Sequence, residues 1–247
     1  MSEGLRESCR GRSKDAGRPS DLTSLDGRLF VCSWSGGKDA YLALQRAVAA
    51  GGRPAALLCM LHEDGRCSRG HGLPLATLEA QASALHVPLV THATTWNDYE
   101  GTFLEALRSL RAIGVEAGVF GDIDLEEHRE WVDGVCARVG LRAYLPLWQA
   151  PRAAIVDELL AHGVEATIVA VDAGRLDATF LGRRLSPGVV ADLAAAGVDI
   201  CGEEGEFHTV VTFAPLFGCS IALAWSGYEE RDGHYVLSYI APSQTTI

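Results

Sequence analysis

Two short stretches of this chain gather the residue types that do chemistry. The first is Ser35-Gly36-Gly37-Lys38-Asp39, set between an apolar run (Leu29 to Cys32) and apolar residues at helical spacing (Ala40, Ala43, Leu44, Ala47, Val48) that Gly51-Gly52 ends. A strand-to-helix turn aims unpaired backbone N–H groups and the positive end of a helix dipole at one point. Glycines let an anion approach that backbone closely. Ser35 adds a hydroxyl and Lys38 a compact positive charge suited to a phosphate. Asp39 either caps the helix or helps to hold Mg²⁺. A carboxylate beside a polyphosphate needs a cation, which favours the metal. The second stretch, Gly202-Glu203-Glu204-Gly205-Glu206-Phe207-His208-Thr209, crowds three carboxylates and an imidazole between apolar flanks, VDIC and TVVTF. Carboxylates crowded at strand ends share a cation, bind an ammonium or raise one another's pKa for base work. An acidic surface turn is the plain alternative.

Alternating elements must position these stretches. Strands are expected at 29–33, 53–61, 88–94 and 115–123, and helices at 39–50, 75–87, from Asn97 or Asp98 onward, and at 125–139. Repeated βα units at this spacing predict an α/β fold, a doubly wound parallel sheet, with ligands beyond the carboxyl ends of its strands. The Ser35–Asp39 turn and Gly121-Asp122 fall on that edge. Asp122 faces a nucleoside or Mg²⁺ there, or caps the next helix. Beyond Pro146 the character changes. A helix at 151–162, a strand at 165–173, the acidic stretch, TVVTF, SIALAW and an Asp232-Gly233 hairpin signal before HYVLSYI predict a smaller α+β lobe. The expected division is a disordered tail at 1–27, a phosphate-binding domain at 28–147 and a C-terminal substrate-binding domain at 148–247.

Composition narrows the class of partner. The net charge is −11, and beyond position 28 there are 15 basic against 27 acidic residues, a net of −12. Without a basic surface a nucleic-acid substrate is disfavoured. Only two residues are lysine, Lys14 and Lys38, so the single lysine of the body stands where a phosphate would sit. Seven scattered cysteines without CxxC predict reduced thiols in a cytoplasm. The absence of an 18-residue apolar run predicts no membrane span.

The turn has neither Walker nor Rossmann spacing. It resembles the PP-loop of the ATP pyrophosphatases, SGGxDS, with Ala40 in place of the final serine, which removes one phosphate hydrogen bond. With GDIDLEEHREWVDGVCARVGL, AYLPLW and CGEEGEFHTVVTFAPLF in that order, and the weaker GHGLPLATLEAQASALHVPL and AGRLDATFLGRRL, residues 28–225 resemble the diphthine–ammonia ligase family. The resemblance implies an N-terminal domain of the adenine nucleotide alpha hydrolase-like (HUP) kind. It also implies an ATP-dependent ligase that adenylates a carboxylate, releases AMP and pyrophosphate, and transfers ammonia. Carried onto this sequence, Ser35, Gly36, Gly37, Lys38, Asp39 and Asp122 bind ATP, and Gly202, Glu203, Gly205, Glu206 and Thr209 bind substrate. Lys38, Glu203, Glu206 and His208 are the catalytic candidates. Glu203 or Glu206 captures ammonium, and His208 is either catalytic or a hydrogen-bonded structural histidine. His71 lines the nucleotide side. In the family's namesake reaction the carboxylate sits on a modified histidine of elongation factor 2. The Ala-, Gly- and Arg-rich composition suggests a GC-rich, bacterial source, for which a small metabolite would replace it. The rival readings are a PP-loop tRNA-modifying enzyme and an ATP-binding module without turnover, the latter prompted by Ala40. A homodimer is an expectation that rests on no particular residue.

Overall fold

The computed structural model describes residues 22–239, so residues 1–21 of the tail expected at 1–27 lie outside the described residues. Residues 22–25 are already part of the body, a 3-10 turn whose Leu25 is fully buried, which corrects the expected start of the fold.

The first lobe is built of β1 (Leu29–Ser33), α1 (Lys38–Ala49), β2 (Arg53–Leu61), α2 (Leu75–Leu85), β3 (Leu89–Ala93), α3 (Tyr99–Ala112), β4 (Ala117–Val119), α4 (Glu126–Val139) and β5 (Arg142–Tyr144). All pairings are parallel and the order is β3-β2-β1-β4-β5. The chain winds outward from β1 to β3, then returns to start again at β4 beside β1. The crevice at the C-terminal ends of β1 and β4 is therefore the topological switch point, where open α/β sheets hold ligands. Alternation along the strands serves both faces. Phe30 and Cys32 join Leu57, Cys59 and Leu61 against α1 and α2, whereas Val31 joins Ala56, Leu58 and Met60 against α3 and α4.

The second lobe comprises α5 (Arg152–Ala161), β6 (Glu165–Asp172), α6 (Pro187–Ala195), β7 (Phe207–Phe213), β8 (Trp225–Arg231) and β9 (His234–Tyr239), with an antiparallel sheet ordered β7-β6-β9-β8. It shares one core with the first lobe. Leu42, Leu44 and Tyr41 of α1 lie in the same cluster as Ile168, Val169 and Val171 of β6 and Val210 and Val211 of β7. The Tyr41 ring meets Phe217 edge-on at 5.6 Å. Among the described residues no helix is long and apolar enough to cross a membrane. The six described cysteines are free thiols.

Four departures from the sequence reading have physical causes. The strand expected over 115–123 is only three residues long, because β1 pairs with it no further than Cys32↔Val119 before turning into the Ser35 loop. β5 is an edge strand too short to show a period. SIALAW is not a strand; the chain is tied there by the Ile221 N–H donating to the Thr212 carbonyl, and β8 begins only at Trp225. α6 was not expected, although Ser186 caps it by accepting from the Val189 N–H at 3.3 Å and Pro187 opens it.

A core that runs through both sheets should unfold as one unit. Leu44→Ala is expected to cost about 2–5 kcal/mol. Urea unfolding followed by tryptophan fluorescence and by far-UV circular dichroism should give one coincident transition. Two separated transitions would refute a common core.

Candidate active site

The Ser35–Asp39 turn sits at the switch point, but it is not a free-standing loop. Gly36 is in the left-handed region (φ +80°), and its carbonyl accepts from both the Val211 N–H (2.9 Å) and the Gln81 amide (3.0 Å). Gly37 is pressed on from both lobes: a Cβ there would lie 2.5 Å from the His71 ring of the first and 3.0 Å from the Thr209 carbonyl of the second. Helix α1 starts without a side-chain cap from its own N-terminus. The Lys38 N–H donates instead to Thr209 Oγ1 at 3.1 Å, and the Gly37 N–H to Ser35 Oγ at 3.3 Å. Two of the donors expected to face an anion are thus engaged by the protein itself. Thr209, placed with the substrate by resemblance, is here a partner of the turn.

Gln81, which the sequence reading passed over, completes the join. It is fully buried. Its amide nitrogen donates to the Gly36 and Val211 carbonyls (3.0 and 2.8 Å), and its oxygen accepts from the Trp34 indole at 3.0 Å. A polar residue on the inward face of α2, one turn after Leu78 and beside Ala82, was the available signal.

Lys38 turns inward. It is 2% exposed, its ammonium donates to Asp39 Oδ2 (2.7 Å) and the Cys201 carbonyl, and it lies 5.3 Å over the Phe207 ring. Burial works against its charge, yet Asp39 and the neighbouring Cys201 and Glu203 outweigh that and hold its pKa above the ordinary value. Burial pushes Asp39 up despite Lys38. The second Asp39 oxygen, Oδ1, is buried without a hydrogen-bond partner. Ala40 is 5% exposed within the shared core. The position of the motif's serine is thus an apolar packing position in this chain.

Asp122 does not cap α4, whose N-cap is Leu125; it pairs with His128 Nδ1 at 3.1 Å, raising the pKa of that imidazole. Gly121 lies against the backbone of Asp39 and Ala40. Asp39, Asp122, His128, Glu203 and His208 therefore face one crevice of about 460 Å³, within the roughly 300–1,000 Å³ typical of ligand sites.

The acidic stretch is a folded turn with divided roles. Asp199 accepts from the N–H groups of Cys201 (3.1 Å) and Glu203 (2.9 Å). Glu206, 2% exposed, accepts from those of Asp199 (3.1 Å) and Glu204 (3.0 Å) and pairs with Arg175 at 3.1 Å. Gly202 (φ +68°) makes the turn possible, since a Cβ there would lie 2.7 Å from the Phe207 carbonyl. Gly205 and Glu204 continue it, Glu204 at the surface on Arg175. Arg152 ties the turn to the first lobe by binding both Asp199 and Asp124 at 2.8 Å. Glu206 is thereby spent on the fold of the turn, outside the crevice. Glu203 points into it. Its Oε1 accepts from the Ile123 N–H at 2.9 Å, and burial, reinforced by Asp39 and Asp122, raises its pKa to about 7. His208 is held by stacking on His71, with ring centres 4.5 Å apart. Burial keeps both imidazoles neutral, with His71 at about 4 although the Thr209 carbonyl it contacts opposes the shift.

Comparison with known proteins gives one consistent family. Models of the diphthamide synthase N-terminal and C-terminal domains match residues 29–143 and 152–240. The chain is 28% identical over 207 residues to diphthine–ammonia ligase of Danio rerio, covering 74% of this chain and 81% of that protein. It is 26% identical over 212 residues to that of Homo sapiens, covering 74% and 78%. Among solved structures, a predicted subunit of a tRNA methyltransferase from Methanocaldococcus jannaschii aligns at TM-score 0.40 and 13% identity, over 76% of this chain and 97% of that one.

Two outcomes follow from the geometry. Gln81→Leu takes the amide donor from the buried Val211 carbonyl and the acceptor from the Trp34 indole N–H, and leaves the Gly36 carbonyl with the Val211 N–H alone. It should destabilise the protein by about 3 kcal/mol or more, read by chemical denaturation; a loss under about 1 kcal/mol would show that the network is not needed. Glu203 carries a raised pKa in the folded state, so the fold binds more protons than the unfolded chain between its ordinary 4.5 and about 7. Its contribution is present at the acid end of that window and lost as pH rises through 7. Glu203→Gln should therefore flatten the fall in stability between pH 5 and about 7.5 seen in denaturation midpoints. An unchanged slope would place the Glu203 pKa in its ordinary range.

Proposed function

The chain belongs to the diphthamide synthase family, and on that premise we propose that it is a ligase that spends ATP to activate a carboxylate and joins ammonia to it. In the first step a carboxylate oxygen bonds to the α-phosphorus of ATP. The bridging α–β P–O bond breaks, its electron pair leaving with pyrophosphate. In the second, ammonia attacks the acyl carbon, the bond to the AMP oxygen breaks, and the nitrogen gives up a proton.

The observation that carries this reading is the meeting of Asp39, Asp122 and Glu203, from three separate segments, in one crevice at the switch point. The polyphosphate is assigned to the Ser35–Asp39 turn, at the N-terminus of α1. Asp39 Oδ1, buried and unpartnered, is an oxygen donor awaiting a cation. Mg²⁺ takes one or two protein carboxylates and completes its shell with water and phosphate oxygens, so Asp39 and Asp122 fit it without a cage of protein ligands. When bound it would neutralise charge on the polyphosphate. Lys38, buried behind Asp39, fixes that carboxylate and the Cys201 carbonyl in place.

Glu203 is the proposed base. A carboxylate with a pKa near 7 is partly ionised at neutral pH, so it can attract an ammonium and accept the proton released on attack. Glu206 is not assigned this task, because its oxygens hold backbone N–H groups and Arg175. The acceptor proposed first is diphthine, which names the relatives; a small carboxylate metabolite is the second candidate. A cytoplasmic location fits free thiols and these reactants.

Incubation with Mg-ATP, ammonium and a diphthine-bearing peptide should yield AMP and pyrophosphate, and Glu203→Gln should lower kcat by about 10²–10⁴. ADP and phosphate as products would overturn the proposed α–β cleavage, and an unchanged kcat at limiting ammonium would remove Glu203 as the base.

A further inference from the structure

A second cleft opens on the far side of the His71–His208 stack, whose two imidazoles line both cavities. Its walls come from the loop after β2, from Trp96 after β3 and from the tip of the β8–β9 hairpin. At about 230 Å³ it exceeds the roughly 150 Å³ that takes a benzene ring and falls short of the roughly 300 Å³ where sites for drug-sized ligands begin. It has room for a group the size of an amino-acid side chain and none for a nucleotide.

The two clefts differ in charge. The crevice at the switch point is lined by Asp39, Asp122, Glu203 and Glu204. The second cleft presents Arg69 and Arg231 against a single carboxylate, Asp232. Arg231 is paired with Glu229. Arg69 is held in place, stacked 5.1 Å over the Trp96 ring and donating to the Thr94 carbonyl. Yet among the described residues no carboxylate pairs with Arg69, and its Nε is buried without a partner. An oriented, partly desolvated guanidinium with an unused donor is what a carboxylate ligand satisfies. Trp96 beside it is 67% exposed, an open aromatic face at the rim.

The ligase reading brings together three charged reactants. Mg²⁺ and ammonium suit the acidic crevice, but a free carboxylate entering it would meet four carboxylates, with His128 already paired to one of them, Asp122. The basic cleft offers the opposite field, and neutral His71 and His208 between the two present no charge to trap it. We propose that this second cleft is the acceptor subsite, in which Arg69, assisted by Arg231, takes the carboxylate-bearing group and delivers it to the nucleotide at the shared His71–His208 wall. Trp96 supports the flat remainder of that group. The inference rests on the ligase reading, and it divides the reactants by charge before they meet.

The test is calorimetric binding of a diphthine-bearing peptide to the full chain, alongside Mg-ATP binding. Arg69→Met keeps the stem against Trp96 and removes the charge. It should weaken the peptide 10- to 100-fold and leave ATP affinity within twofold. Arg108→Met, an exposed change on α3, should alter neither. Trp96→Ala, at a side chain the fold does not bury, should weaken the peptide about fivefold and guards against misfolding of the first variant. Unchanged peptide affinity in Arg69→Met, or no peptide binding to the wild type at millimolar concentration, would overturn the subsite. AMP formation in the same wild-type sample judges the ligase reading separately: binding lost in Arg69→Met without any AMP would keep the subsite and sink that reading.

Discussion

The turn between β1 and α1 is the constraint on which the rest depends, because both lobes are hydrogen-bonded to its backbone. Gly36 offers its carbonyl to β7, Lys38 donates its N–H to the Thr209 hydroxyl, and Gln81 reaches from α2 to hold Gly36 and Val211 together. A buried backbone polar group left unpaired costs on the order of 1–3 kcal/mol. The turn, β7 and α2 therefore stand or fall together. The glycines serve this join as much as any ligand, since no side chain fits between Gly37 and the His71–Thr209 pair.

From this join follows the electrostatics of the crevice. Asp39, Asp122 and Glu203 repel one another, and a flexible acidic loop would move them apart. Here the loop is stitched by Asp199 and Glu206, each carboxylate accepting two backbone N–H groups, and clamped by Arg152 and Arg175. The fold of the loop thus supplies the energy that holds Glu203 in a place where its charge is disfavoured. The raised pKa of Glu203 and the unpartnered oxygen of Asp39 are two signs of the same strain, and a cation between them would relieve both.

Much of the architecture was legible, because the apolar residues of the first lobe keep strict periods and the turn residues fall between them. The order of βα units alone places Ser35–Asp39 and Asp122 on one edge of the sheet. What escaped was local and short. Three residues of β5 carry no period, and the end of β4 depends on where its neighbour leaves the sheet. The site divides in the same way. The residue types in GEEGEFHT announced a carboxylate cluster, but which glutamate faces the crevice depends on hydrogen bonds to Asp199, Glu204 and Ile123, which spacing does not encode. Gln81 and Arg69 lie far from both motifs in sequence and come to them only through the fold.

The single lysine of the body has a structural role that its motif does not announce. Its position invites contact with a phosphate, and lysine is the compact cation that such contact favours. Buried under Asp39 and the Cys201 carbonyl, its charge acts one step further back. It keeps Asp39 Oδ2 occupied, so that only Oδ1 is left to face a ligand, and it fixes the chain just before Glu203. An arginine would bring a wider, planar group into a space bounded by the Phe207 ring and two oxygens. The geometry of the interior therefore accounts for a lysine here in a chain that otherwise prefers arginine.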